Sequence, residues 1–423
     1  MKPEPGDAVK IVTDAETYTG ILMPRPEILD KGVLVLKLGS GYNIGIDEKR
    51  IKKIEVEEKY RQKKAEKSKI SHKKSLPNVS ILSFGGTISS KVDYRTGGVY
   101  ADYTAEDFVE MIPELRNVAN LKAEKVMSVM SEDFSPEVWQ LMARRIAQEL
   151  NDDKVAGVVV SQGTDTLHFS TAAISFFLRN LNKPVVFTAS QRSIDRGSSD
   201  AFFNLLCAVH AAAKFDGAAV MTCLHGTSDD SYCILINGVN VRKMHTSRRD
   251  AFRPINKLPF AKVYEDGKIE ILNSDYKKRN HEKVIVENQF EPKTALVYVY
   301  PGMDPEVLDY YRQKKYRGIV IAATALGHVA TMNPQYSLLK KLKELIDNGV
   351  PVVITTQAIY GRVHPYVYTN LRKLSLGINC IFAEDMLPET AYIKLGWVLA
   401  QAKSMDEIRE MMLTNYAGEI NER

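Results

Sequence analysis

Asn78-Val79-Ser80-Ile81-Leu82-Ser83-Phe84-Gly85-Gly86-Thr87-Ile88-Ser89 is the stretch on which the fold turns. Residues 78–84 read as a buried strand, and the strand stops at two glycines followed by a threonine. Glycine lets the backbone turn with positive φ and lets another group approach it closely. From here toward the C-terminus, strand and helix patterns alternate. Residues 155–161, 185–188 and 218–224 read as strands, 171–181 has helical spacing, and 200–213 reads as an amphipathic helix with Asp200 placed to cap it. The alternation predicts an α/β domain over 77–275 with a largely parallel sheet. A polar connection over 276–293 leads to a second α/β unit over 294–423, with strands at 295–300, 318–323 and 350–355 and helices at 305–314, 337–348 and 390–402.

Toward the N-terminus the pattern changes. Residues 9–12, 18–23, 33–38, 42–46 and 51–56 are short Val-, Ile-, Leu- and Tyr-rich runs, separated by turns such as Pro24-Arg25-Pro26 and Gly39-Ser40-Gly41. Five such strands predict a small β-barrel over 1–56, which would close its own edges. A basic linker over 57–76 follows. Residues 59–76 carry eight Lys/Arg against one Glu, a local +7 that leaves −2 for the rest of a chain whose net charge is +5. Contact with a polyanion and a solvated spacer are both open readings of this segment.

Composition excludes several classes. At 423 residues, 44% of them apolar and 26% charged, the chain has material for two or three cores. No apolar run approaches the roughly 18 residues of a membrane span, and the N-terminal stretch does not read as a secretory signal. Cys207, Cys223, Cys233 and Cys380 form no C-x-x-C pair, which points to a reducing, cytoplasmic setting. The eight histidines are scattered without a ligand spacing, so no metal is expected. No G-x-S-x-G elbow occurs, and no lysine follows the Gly85-Gly86 turn as a phosphate loop requires.

Three short motifs carry the chemistry. Thr87 follows its glycines at a strand end, where ligands of open α/β sheets bind. Val160-Ser161-Gln162-Gly163-Thr164-Asp165-Thr166-Leu167 repeats the pattern and sets a hydroxyl beside a carboxylate. Asp165-Thr166 can cap the helix that follows, but capping explains one polar residue, not three in a row. The pair also suits a proton relay or a grip on an ammonium group. Val241-Arg242-Lys243-Met244-His245-Thr246 supplies a lysine whose proton a neighbouring cation, Arg242, would help to remove.

Gly-Gly-Thr-Ile, Gly-Thr-Asp-Thr and a later lysine, in that order, resemble the bacterial-type L-asparaginase/glutaminase family over residues 77–423. The resemblance implies two Rossmann-like domains, a homodimeric active unit, a Thr87 nucleophile, and Thr164, Asp165 and Lys243 as a second catalytic set. Whether Thr87 or Thr164 attacks first, or water attacks directly, stays open. It further implies substrate binding by Ser131, Glu132 and Gly163. Glu132 departs from the glutamine that many relatives carry. A lid tyrosine is implied in 90–103, matched best by Tyr100 with Tyr94 as the alternative.

Outside the core, Gly20-Ile21-Leu22-Met23-Pro24-Arg25, Gly41-Tyr42-Asn43-Ile44-Gly45-Ile46, Thr324-Ala325-Leu326-Gly327-His328-Val329, Tyr360-Gly361-Arg362-Val363 and Glu384-Asp385-Met386-Leu387-Pro388-Glu389-Thr390-Ala391 resemble the D-subunit family of archaeal glutamyl-tRNA(Gln) amidotransferases. That resemblance implies a glutaminase that supplies ammonia to a partner, the E-subunit of the same amidotransferase. The partner would bind Glu-tRNA(Gln) and use ATP and magnesium, with no cofactor in this chain. A free-standing asparaginase or glutaminase with an accessory domain is the alternative.

Overall fold

Alternating burial along short strands builds the first layer. In the computed structural model, β1 (Ala8–Thr13), β2 (Thr17–Leu22), β3 (Val33–Leu38), β4 (Asn43–Asp47) and β5 (Ile51–Glu58) form an antiparallel sheet in the order β4-β3-β2-β1-β5. Residues 2–23, 32–39, 42–59, 73–86, 90–92, 99–101, 108, 112–192 and 198–422 are described. The expected barrel is not closed. A single 3-10 turn, Glu48–Arg50, carries the chain from one edge strand to the other, and among the described residues no ladder joins β4 to β5. Val9, Ile11, Leu22, Leu36 and Ile46 fill the small core on the sheet's inner face.

The second sheet begins with β6 (Asn78–Ser83), and β7 (Ser90–Val92) and β8 (Val99–Ala101) form a separate hairpin. Its other strands are β9 (Asn120–Lys125), β10 (Val155–Ser161), β12 (Val185–Thr188), β13 (Val220–His225), β14 (Cys233–Asn237), β17 (Ala261–Val263) and β18 (Ile269–Ile271). The order is β18-β17-β14-β13-β12-β10-β6-β9, parallel from β9 to β13 and antiparallel beyond. The central strands are buried on both faces, which is why they read as unbroken apolar runs. Leu82, Val158, Val160 and Phe187 face one core, and Ile81, Val159, Val186 and Met221 face the other.

Helices α1 (Pro136–Leu150) and α2 (Leu167–Phe177) cover the first of these faces, and α3 (Ala201–Lys214) covers the second. Helix α1 starts with proline at its first turn and buries Val138, Met142, Ala143, Ile146 and Leu150, a helical stripe. Two capping expectations fail. The Thr166 hydroxyl donates to Ser131 O at 2.6 Å instead of capping α2, and Asp200 turns its carboxylate onto the backbone N–H groups of Gln191 and Arg192.

Helix α2 ends four residues before the expected 181, because β11 (Leu178–Arg179) pairs with β19 (Ile285–Val286) of the connection. A two-stranded hairpin, β15 (Val241–Lys243) and β16 (Phe252–Pro254), projects from the domain.

The third sheet is parallel, β20 (Thr294–Tyr298), β21 (Gly318–Ala323), β22 (Val352–Thr356) and β23 (Ile381–Phe382) in chain order. Helices α4 (Val307–Gln313), α5 (Leu339–Asp347), α6 (Pro388–Leu399) and α7 (Met405–Leu413) accompany it. Helix α6 packs along α2, with Trp397 stacked on Phe176 at 5.8 Å, so one apolar core runs through both α/β units.

Candidate active site

Strand order opens a crevice. After β6 the chain passes to β9 on one side and then returns to β10 on the other. Connections therefore leave β6 and β10 in opposite directions, and the gap at their carboxyl ends is where such sheets take ligands. Gly85 and Gly86 follow β6 there with φ of +109° and +88°. A Cβ on Gly85 would stand 2.5 Å from Val129 O, and one on Gly86 would stand 2.4 Å from the Gln162 carbonyl carbon. The two motif loops touch backbone to backbone, so only glycine fits. Thr87, the expected nucleophile, lies outside the described residues.

Across this contact stand Thr164 and Asp165, in the loop between β10 and α2. Lys243, last residue of β15, reaches them. Its Nζ donates to Thr164 Oγ1 at 2.8 Å and to Asp165 Oδ1 at 2.6 Å, and Thr164 Oγ1 lies 3.3 Å from the same carboxylate oxygen. The lysine side chain is 11% exposed, whereas that of Asp165 is 63% exposed. The hydrogen bond from Lys243 holds the Asp165 carboxyl below its ordinary range, against the smaller opposing effect of partial burial. Lys243 stands 79 residues from Thr164 in the sequence; the hairpin brings it in.

Arg242 does not take part. Successive strand residues point to opposite faces, and its guanidinium pairs with Glu389 of α6 at 3.2 Å. The cation that burdens its neighbourhood is felt instead by His168, in the first turn of α2. Burial first, then Arg242 and Lys243, push this imidazole down to about 4. Beside the site, His168 and Gln162 are buried polar side chains to which sequence reading gave no role. The available signal for His168 was a polar side chain set between Leu167 and Phe169.

The expected binding residues fall in different places. Ser131 is buried beneath Gly163, where an added Cβ would meet its Oγ at 2.7 Å. Glu132 is exposed on the same 3-10 turn, Ser131–Asp133. Tyr100 lies on β8 opposite Lys91, but its side chain and all of Tyr94 are outside the described residues. Among the described residues there is no group of three His, Cys, Asp or Glu side chains able to hold a metal.

Residues 78–277 match the asparaginase N-terminal domain, residues 293–412 the glutaminase/asparaginase C-terminal domain, and residues 3–56 the GatD N-terminal domain. A Pyrococcus furiosus protein, named as the D-subunit of glutamyl-tRNA(Gln) amidotransferase, is 48% identical over 423 residues, covering 99% of this chain and 95% of that one. The Thermococcus kodakarensis protein of the same name is 46% identical over 98% of this chain and 94% of its own length. This chain belongs to the GatD family, the D-subunits of glutamyl-tRNA(Gln) amidotransferase.

Two solved structures share the family's α/β core. The L-asparaginase of Thermococcus kodakarensis has a TM-score of 0.74 at 28% identity, and L-asparaginase I of Vibrio cholerae 0.70 at 27%; each match covers 82% of this chain and 100% of the other. The segment before that core distinguishes the GatD family member. Of its eight basic linker residues, Lys59 is taken up by Asp7 at 2.8 Å and Lys73 by Asn117 at 3.0 Å. Most of the others lie outside the described residues. No helix among the described residues is long and apolar enough to cross a membrane.

Proposed function

We propose that this chain is the glutaminase component of a tRNA-dependent amidotransferase. It hydrolyses the side-chain amide of glutamine, or of asparagine, and its ammonia converts Glu-tRNA(Gln) to Gln-tRNA(Gln) on a partner, the E-subunit. The observation that carries the chemistry is the Lys243–Thr164–Asp165 cluster at the mouth of the β6/β10 crevice. Thr87 Oγ attacks the amide carbon while Thr164 takes its proton and passes its own to Lys243. Lys243 accepts as the neutral amine, having first released a proton to solvent, and Asp165 orients it by their hydrogen bond. The C–N bond breaks, the departing nitrogen collects a proton as ammonia, and water then cleaves the glutamyl ester. Backbone N–H groups of the two glycine loops hold the oxyanion, a contribution of about 3–4 kcal/mol for each such donor.

The active unit is a homodimer bearing two E-subunits in the cytoplasm. This chain uses no cofactor, and ATP and magnesium serve the partner. The coupling is tested by measuring ammonia release from glutamine by the chain alone, with the E-subunit, and with the E-subunit plus Glu-tRNA(Gln). Slow release alone and much faster release in the full mixture is expected. An isolated chain already at the full rate, with nothing gained from the partner, would make it a free-standing hydrolase.

A further inference from the structure

We infer that Asp230 and Arg249 are positioning residues for Lys243, an inference that rests on the catalytic reading of Lys243 above. Lys243 ends a strand of three residues, and a turn over 244–251 separates it from β16, also three residues long. So short a hairpin is weak by itself. Val241, Ala251 and Phe252 bury its base, but apolar contact is non-directional and leaves the lysine's aim unset. Local bonds shape the turn. Met244 N donates to Ala251 O at 2.7 Å, His245 Nδ1 accepts from Ser247 N and Arg248 N, and Arg248 forks onto the buried Asp250. All of these lie within the hairpin.

Two guanidiniums tie it to the sheet. Arg253 Nη1 donates to Gly226 O at 2.9 Å. Arg249 Nη1 donates to Asp230 Oδ1 at 2.9 Å, and its Nη2 to Ser198 O at 2.6 Å. An exposed ion pair is ordinarily worth little, and Asp230 is 60% exposed. Here, however, the same carboxylate oxygen lies 2.8 Å from Nε2 of His225, a wholly buried ring at the end of β13. His225 Nδ1 donates to Asn204 Oδ1 at 2.7 Å. That amide is oriented by its own N–H groups, which donate to Ala189 O at 2.9 Å and Asp200 Oδ2 at 3.3 Å. A continuous polar strut therefore runs from the Lys243 turn through Asp230 and His225 to α3 and the loop after β12. It fixes a direction that the apolar base does not.

The test is glutamine turnover by Asp230→Asn, Arg249→Lys and Arg249→Ala, each beside its melting temperature. A lysine displaced by about 1 Å predicts kcat lower by roughly tenfold to a hundredfold. KM should stay within about twofold, because only transition-state contacts are lost, and melting should be nearly unchanged for Asp230→Asn, whose side chain is 60% exposed where that of Arg249 is 22%. Arg249→Lys should recover part of the Arg249→Ala loss. Asp230→Asn combined with Arg249→Ala should be no worse than the poorer single variant, because both cut one strut. Folded Asp230→Asn with wild-type kcat, beside an inactive Lys243→Ala, would overturn this inference alone. So would a fall in kcat matched by a lower melting temperature and a raised KM, which marks a residue that only supports the fold. Full turnover by Lys243→Ala would overturn the reading of the site and this inference with it.

Discussion

Lys243 shows most clearly what one residue contributes and how far sequence can see it. Its type and order after the two threonine motifs were legible; its aim was not, because that depends on a hairpin too short to leave a pattern. Arg242 was misjudged for a related reason: adjacency in sequence is opposition on a strand. Lys243→Ala should reduce turnover at least a thousandfold, and Lys243→Arg should not restore it, since a guanidinium keeps its proton. Steady-state assays on folded variants check both.

Single residues also set two pH effects. The folded Asp165 carboxyl lies below its ordinary value of 3.8. Its pairing with Lys243 therefore stabilises above that range and is lost as pH falls through the depressed value. In Lys243→Ala the pairing is gone, so this acid-side dependence should be largely absent, read as melting temperature against pH. His168 and His210 are both pushed down to about 4 by burial, from 6.5. Between those values the unfolded chain binds the extra proton, so stability should rise with pH there. The limit is about 1.4 kcal/mol per pH unit for each proton. Replacing both histidines by glutamine should flatten that slope in urea titrations.

Among the elements, strands were read best where they are buried on both faces. Residues 155–161, 185–188 and 318–323 were placed to the residue, since a run of Val and Ile bounded by turns admits little else. The antiparallel strands at 261–263 and 269–271 escaped notice, being three residues each with mixed polarity. The barrel was expected from strand count alone, and strand count says nothing about closure. The glycine loops differ in what an added methyl group would meet. At Gly86 an added Cβ meets backbone at 2.4 Å with φ at +88°, so Gly86→Ala must push β10's loop away. The left-handed backbone and the overpacking together should cost about 3 kcal/mol or more, with turnover lost. At Gly163 the obstacle is Ser131, whose Oγ can rotate away but whose Cβ, at 2.8 Å, moves only with its backbone. Without the left-handed backbone of Gly86, Gly163→Ala should cost less stability than Gly86→Ala while weakening substrate binding. Paired melting and KM measurements distinguish the two.

Across the molecule, the C-terminal tail ties the two α/β units together. Lys394 of α6 and Glu419 are wholly buried and paired at 2.6 Å, and the lysine also donates to Met412 O and Thr414 O. Burial pushes Lys394 down despite the opposing pull of Glu419. The tail then reaches the first unit, where Asn237 Nδ2 donates to Ala417 O at 2.9 Å and Arg179 lies 4.8 Å over the Tyr416 ring. Lys394→Met leaves a buried carboxylate without its cation and should cost about 3–5 kcal/mol, measured by denaturant unfolding. Nothing in the sequence flagged this pair, because Lys394 and Glu419 are a helix and a tail apart and each reads alone as a surface charge.

If a threonine nucleophile served by Lys243 opens the amide of glutamine, the chain must carry a glutamyl group for part of each cycle. That group is sought by intact mass, with the chain quenched during glutamine turnover, the E-subunit and Glu-tRNA(Gln) present, and the adduct then mapped by peptide. A glutamyl adduct is expected on the peptide carrying Thr87, absent from Thr87→Ala and depleted in Lys243→Ala. A folded Thr87→Ala chain that still releases ammonia at the wild-type rate would contradict the proposed chemistry.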